Sequence, residues 1–397
     1  MAVSLMITIV QAVLHALGLA FAMTWEILWA LALGFTLSAI VQAVVSKREM
    51  TRLLPDDSPR TLAVACGLGA ASSSCSYAAV ALARSIFRKG ANFTAAMAFE
   101  LASTNLVAEL GIVMAILIGW QFTVAEFVGA PIMVVFMAVL FRLFLKRSLV
   151  DEARRQADRG LLGAMEGHAE MDMSVTEGTL LQRIFSDRGL TAISHYYAMD
   201  WAAIWKDIAG GLLLAGALGA WVPQEFWKTL FVSSNPVVAA VWGPIIGPLV
   251  SVVSFVCSIG NVPLAAILWN GGISFGGVIA FIFADLIIIP ILNIYRKYYG
   301  RHMALLIGGI FYIAMVAAAW LVEAVFQVLH LVPPERNARV VEAAVQLNYT
   351  TVLDVLFLGL SAMLAWRFVR TGGPEMLQMM DRPAQQHDRL PATSGAK

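Results

Sequence analysis

Residues 71–80 read ASSSCSYAAV, and residues 254–263 read SFVCSIGNVP. Both lie inside long apolar stretches, yet both spend their middles on Ser, a thiol and small residues, and the second adds Asn and Pro. In hydrocarbon every backbone polar group must be satisfied, so interrupted helices survive only when buried in protein or lining a wet cavity. These two stretches therefore decide the fold: they read as broken helices within a membrane protein, not as simple spans.

The surrounding chain supports that class. It is 59% hydrophobic and only 13% charged, against roughly 25% charged in soluble domains, and its mean hydropathy is +0.77. A net charge of +1 provides no basic field for nucleic acid. Apolar runs near the ~20 residues that cross a bilayer core fall at 4–22, 25–45, 92–119, 122–145, 201–221, 275–295, 302–328 and 350–370. The expected fold is an all-α polytopic membrane protein with about eight transmembrane helices and two re-entrant helical hairpins, at 58–90 and 240–272. An AFA at 20–22 resembles a signal-peptidase site, but the first basic residue is Lys47, so 1–24 reads as a retained membrane helix. Trp25, Trp29, Trp201, Trp205, Trp221 and Trp227 fit an interfacial aromatic belt. Cys66, Cys75 and Cys257 are too few for a disulfide framework. No metal, cofactor or nucleotide-binding motif is present.

An internal repeat organises the chain. With an offset of 182 residues, 25–119 overlays 207–301 without a gap, pairing Gly34 with Gly216, Ser72 with Ser254, Cys75 with Cys257, Ser76 with Ser258, Gly90 with Gly272 and Phe93 with Phe275. Both copies hold S-x-x-C-S. The expected domains are 1–24, a membrane helix; 25–145, repeat 1; 146–200, a polar cytoplasmic loop; 201–328, repeat 2; 329–370, an external loop and last span; and 371–397, a disordered cytoplasmic tail. Lys47, Arg48, Arg52 and Arg60 on one side of 58–90, and Arg84, Arg88 and Lys89 on the other, place both ends of that segment in the cytoplasm by the positive-inside rule. The segment then enters and returns, and the two repeats are inverted, as in many secondary transporters. Full spans would instead make the repeats parallel.

Hairpin arms of ~14 residues rise ~21 Å, past the middle of a ~30 Å core, so tips from opposite sides meet near the midplane. Candidate substrate-lining residues are Ser72, Ser74, Cys75, Ser76 and Tyr77 at one tip, and Ser254, Cys257, Ser258 and Asn261 at the other. Small residues and Ser also serve as packing devices in membranes, and free Cys as an inert hydrophobe; recurrence of the pentad weighs against packing alone. Ionisable groups within spans are costly and usually functional. Asp285, Glu100, and Glu109 with Asn105 are the candidates for coupling to protons or cations, with Arg84 a candidate ion-pair partner for one of the glutamates. Glu26, Asp207 and Glu126 lie near predicted span ends and read as interfacial.

GAASSSCSYAAVALARSIFRKGANFTAAMAFELASTNLVAELG at 69–111, with VSFVCSIGNVPLAAILWNGGISFGGVIAFIFADLIIIP at 253–290, resembles the predicted permease family that includes the organoarsenical efflux permeases. The resemblance covers about residues 25–300 and implies a two-repeat permease. Many members carry C-S-C at these positions; here Tyr77 and Ile259 stand where the second thiol would be, leaving one thiol per tip for a soft trivalent substrate. A secondary permease exporting a small solute is the leading expectation, with the bilayer and a small-molecule substrate as partners and a homo-oligomer compatible with the sequence. A channel is the nearest rival. A membrane thiol oxidoreductase is the rival from the enzymes, although no Ser–His pairing suggests hydrolysis.

Overall fold

The computed structural model describes residues 2–44, 53–72, 76–157, 173–175, 177–254, 258–336, 338 and 349–381, and the regular elements among them are all helical. The first helix, α1 (Ala2–Val44), runs unbroken where two spans were expected. No Pro lies near 22–25 to stop it, and a helix once nucleated propagates until a breaker intervenes. Thr24, the polar residue at the expected junction, returns its hydroxyl to the Ala20 carbonyl at 2.7 Å.

Hairpin one follows as α2 (Pro59–Ser72) and α3 (Ser76–Arg88). Asn92 N–H, just beyond α3, donates to the Leu54 carbonyl, just before α2, at 2.9 Å. The segment thus leaves and returns to the same end of the bundle. Helix α4 (Phe93–Asn105) runs parallel to α2, since its start lies beside Leu54 while Gly69 packs on Phe99 and Ala102. A Cβ on Gly69 would run into the Phe99 carbonyl oxygen, so the close approach of α2 to α4 needs glycine. Helices α5 (Ala108–Leu117) and α6 (Trp120–Phe144) carry the chain to the other end and back, and α7 (Arg147–Ala157) lies across the first end.

Beyond α8 (Leu180–Phe185), a 35-residue helix α9 (Asp187–Trp221) lies antiparallel to α1. Gln42 donates to Asp200 at 3.2 Å near one end, and the Trp221 indole donates to the Ala12 carbonyl at 3.1 Å near the other. Residues 187–200, expected within a polar loop with short helices, instead form the start of this long helix; Ser186 starts it by accepting from Gly189 N–H at 2.9 Å, an N-cap. Helix α10 (Gln224–Leu230) precedes hairpin two, α11 (Pro236–Ser254) and α12 (Ser258–Gly271). Trp227, expected at the interface, is instead buried against Gly271.

Next come α13 (Phe275–Phe283), a 3-10 turn (Ala284–Ile287), α14 (Ile289–Tyr299), α15 (Arg301–Val328), α16 (Tyr349–Arg370) and α17 (Gly373–Asp381). Residues 373–381, expected in an irregular tail, are helical, while 382–397 lie outside the described residues. Among the described residues four segments are long and apolar enough to cross a membrane: 93–117, 120–144, 301–328 and 351–370. The pair 275–287 and 289–299, bent by 41°, makes a fifth if it is one span.

Aromatic contacts fix which end each hairpin enters from. At the first end Phe93 meets Phe87, Phe141 and Tyr299, with centroids 5.1, 5.6 and 5.5 Å away. At the second end Phe122 meets Trp269 at 5.1 Å and Phe275 at 4.6 Å, and Phe275 stacks on Phe326 at 5.1 Å. Hairpin one therefore has its base where α4 begins and α6 ends. Hairpin two has its base at the opposite end, where α6 begins and α15 ends.

Candidate functional site

The site is built where the two return helices begin. Pro290, in the first turn of α14, lacks an N–H and crowds the preceding turn, so the chain from α13 tightens to a 3-10 turn and breaks at Ile288. That break leaves Asp285 in the 3-10 turn, fully buried. Ser76, the first residue of α3, donates its hydroxyl to Asp285 Oδ2 at 2.6 Å. Ser258, the first residue of α12, and Thr104, near the end of α4, lie close to the same carboxyl group, although the Thr104 hydroxyl itself donates to the Leu101 carbonyl at 3.3 Å. One acid thus ties together residues of both hairpins, and the N-terminal ends of two helices point partial positive charge toward it.

Two other carboxyl groups lie within electrostatic reach of Asp285, those of Glu100 and Glu126. Glu100 Oε1 accepts from the Tyr295 hydroxyl of α14, while Arg84 instead donates to the Ala157 carbonyl at 2.7 Å and lies 4.3 Å from the Tyr298 ring centroid. Glu126 corrects an expectation: it is completely buried, not interfacial. One turn further on, Gly129 lets α6 close on the Phe283 ring, 2.9 Å from where a Cβ would stand, and this draws the start of α6 into the core. Neither Glu126 oxygen, nor Glu100 Oε2, nor Asp285 Oδ1 has a hydrogen-bond partner among the described residues. Among those residues, no group of three or more His, Cys, Asp or Glu is arranged to hold a metal.

Polar residues around this core are also buried. Asn105 donates to the Leu101 carbonyl and to Thr104 Oγ1, both at 3.0 Å, leaving its Oδ1 without a partner among the described residues. Asn261 donates to Ser251 Oγ at 3.2 Å, joining the two arms of hairpin two. Ser72 is buried at the end of α2, and Tyr77 packs half-buried against the core. Glu109 lies apart, in the first turn of α5 against Gly34 of α1, where a Cβ would run into it. Ser74, Cys75 and Cys257, with the side chains of Ser254, Glu26 and Asp207, lie outside the described residues.

Sequence reasoning missed Tyr295, Ser251 and the burial of Glu126. Tyr295 follows a run of apolar residues in IPILNIYRKYY, where it reads as an interfacial ring; only the fold sets it against Glu100. Ser251, ten residues before Asn261, matches Gly69 in the other copy and so gave no repeat signal.

The geometry describes paired half-helices meeting on a buried acid within a multi-pass membrane protein. No solved structure matches the chain. A protein of Mycobacterium tuberculosis named "Putative permease Rv2963" is 62% identical over 347 residues, which is 87% of this chain and 86% of that one. The family model described as "Predicted permease" matches residues 12–324. The chain belongs to that permease family, and it is a membrane permease.

Proposed function

We propose that the protein is a secondary permease that exports a small solute by alternating access, with the meeting point of the two hairpins as its transport site. The observation that carries this reading is the shared acid: Asp285 takes a hydrogen bond from Ser76, which begins the return helix of one hairpin, and lies close to Ser258, which begins that of the other. A group held from both sides is released whenever either hairpin moves. A site opened first to one side and then to the other requires that property. The chain's basic residues cluster at the base of hairpin one, with Arg84, Arg88 and Lys89, and at the ends of α6 and α14, with Arg142, Arg296 and Lys297. That end is cytoplasmic by the positive-inside rule, which makes the hairpins re-entrant and the repeats inverted.

Asp285 is the coupling group. A buried carboxylate without a cation is costly, so a proton or substrate that changes its hydrogen bonds also changes which hairpin it holds. Glu100 and Glu126 extend the same buried acid network. The substrate class is a small neutral or soft solute of the trivalent organoarsenical type, held by hydroxyls and by Cys75 and Cys257, one thiol from each tip. Everted membrane vesicles should accumulate trivalent methylated arsenic saturably and only with a proton gradient, and Asp285→Asn should abolish the gradient dependence. Ohmic single-channel currents would replace the permease with a channel. Saturable uptake of other solutes but not of the arsenical would remove the substrate alone.

A further inference from the structure

Two arginines outside the site repeat each other's contacts across the halves of the chain. Arg154, on α7, donates to the Phe87 carbonyl at 2.5 Å and to the Ala91 carbonyl at 3.1 Å, its guanidinium 4.1 Å from the Phe87 ring centroid. Arg336, beyond α15, donates to the Trp269 and Ile273 carbonyls at 2.9 and 2.6 Å, with its guanidinium 4.3 Å from the Trp269 ring centroid. The separations along the chain are the same in both cases, 67 and 63 residues. Each element of one set lies 182 residues from its counterpart in the other.

The corners they clasp also match. Each return helix ends at a glycine of positive φ, Gly90 at +112° or Gly272 at +109°. Two residues later Asn92 or Ser274 caps the next helix by accepting from Ala95 or Gly277 N–H. A helix C-terminus leaves carbonyls without intrahelical donors and favours a positive charge there. A basic residue within the corner could satisfy that need locally. In both halves the donor instead arrives from beyond the last long helix of the same half. It therefore joins the base of a hairpin to the scaffold rather than closing one turn.

We propose that Arg154 and Arg336 are paired gate latches, one at each end of the bundle, and that releasing either one frees its hairpin and opens the tip site toward that end alone. The proposal rests on the reading of the tips as the transport site. Each guanidinium bridges two carbonyls over a ring, Arg154 through both terminal nitrogens and Arg336 through one, and such a clasp is either seated or not, which suits a two-state element better than a graded one. The second latch stands beside a cavity of about 570 Å³ lined by Ile116, Gly119, Gln121, Trp269 and Glu335. This cavity is the antechamber through which the solute leaves once Arg336 lets go. The latches are not equal: Arg336 has Glu323 within electrostatic reach, whereas the residue matching Glu323 in the first half is Phe141.

The test keeps Cys75, the chain neighbour of Ser76, as reporter and replaces Cys66 and Cys257 by Ser. A membrane-impermeant maleimide is applied to everted and to right-side-out vesicles. Arg154→Gln should raise labelling by roughly tenfold, about the effect of one charge-assisted contact, in everted vesicles only, and Arg336→Gln in right-side-out vesicles only. Arg154→Lys and Arg336→Lys keep the charge but lose the fork and the stack, so they should show the same sidedness at lower amplitude while protecting the fold. Unchanged labelling in all four variants, or increases on the same side for both positions, overturns the latches. Sided labelling that added methylarsenite fails to block in a second background, with Cys257 restored and only Cys66 replaced, keeps the latches and removes the tips as the substrate site.

Discussion

The two hairpins share a scaffold and differ in chemistry. Their return helices begin at Ser76 and Ser258, their following helices at Phe93 and Phe275, and each corner carries a glycine of positive φ, a side-chain cap and an arginine clasp. At the centre the likeness stops. Asp285 stands where the first half has Ser103, and the Asn261–Ser251 pair that braces hairpin two is matched by Ala79 and Gly69. The frame recurs at one offset, whereas its buried acids do not: Asp285 matches Ser103, and Glu100 matches Ile282. In the proposed transport cycle, symmetry of the frame lets either side open, and asymmetry of the acids gives the cycle something to couple to.

The sharpest way to break that comparison is to remove the acid. Asp285→Asn should lower gradient-driven transport ~5- to 150-fold, the range of an ordinary coupling free energy, while leaving expression intact. Equal transport with and without a gradient in the wild type would remove Asp285 from this role.

Exchanging the braces tests the scaffold. Gly69→Ser places the residue of the second copy into the first, where its Cβ would run into the Phe99 carbonyl oxygen. Overpacking of this kind costs about 1–3 kcal/mol, read as a lower midpoint of thermal unfolding in detergent. Gly67→Ser, whose Cβ would meet nothing within 4 Å, should leave that midpoint unchanged.

The two serines compare the tips directly. Ser76→Ala deletes the hydroxyl bonded to the Asp285 carboxyl group, and Ser258→Ala deletes the hydroxyl close to it from the other hairpin. Each should weaken transport by about 1–2 kcal/mol, roughly 5- to 30-fold, and the double variant should show non-additivity. Strict additivity would mean that the two tips act on separate groups.

The smallest expected difference is at the hairpin bases. Asp56 accepts from Ser58 N–H at 3.0 Å and from the Thr61 hydroxyl at 2.6 Å, and these bonds, those with Thr61 first, hold its carboxyl below the usual carboxylate range. A depressed folded-state value means stability is present above the unfolded value of about 4 and is lost as pH falls through the folded one. The base of hairpin two uses neutral Asn235, which accepts from Val237 and Val238 N–H at 3.2 Å. Amide exchange at 58–62 should therefore quicken in acid, that at 236–240 should show no such change, and Asp56→Asn should abolish the difference.

Much of this was legible along the chain. Hydropathy gave the class, and S-x-x-C-S, Gly and Phe were seen to recur at one offset of 182 residues. Ser76 and Ser258 were marked by recurrence of S-x-x-C-S, Asp285 and Glu100 by the cost of a carboxyl group in an apolar setting, and the fold gathers the four around one buried centre. The arginine latches obey the same 182-residue offset but went unread. They lie where hydropathy had marked a loop, and a long-range donor leaves no local period.

Sequence alone, then, determined that this is a helical membrane permease with paired polar breaks, since burial of polar residues in lipid is too costly to be incidental. Only the tertiary structure decided what those breaks face. Ser76 reaches Asp285 across 209 residues, and Tyr295 reaches Glu100 across 195. Glu126 is buried because α6 leans on Phe283. Such contacts are set by how helices pack, which no window of sequence contains, because the distance that matters is through space rather than along the chain.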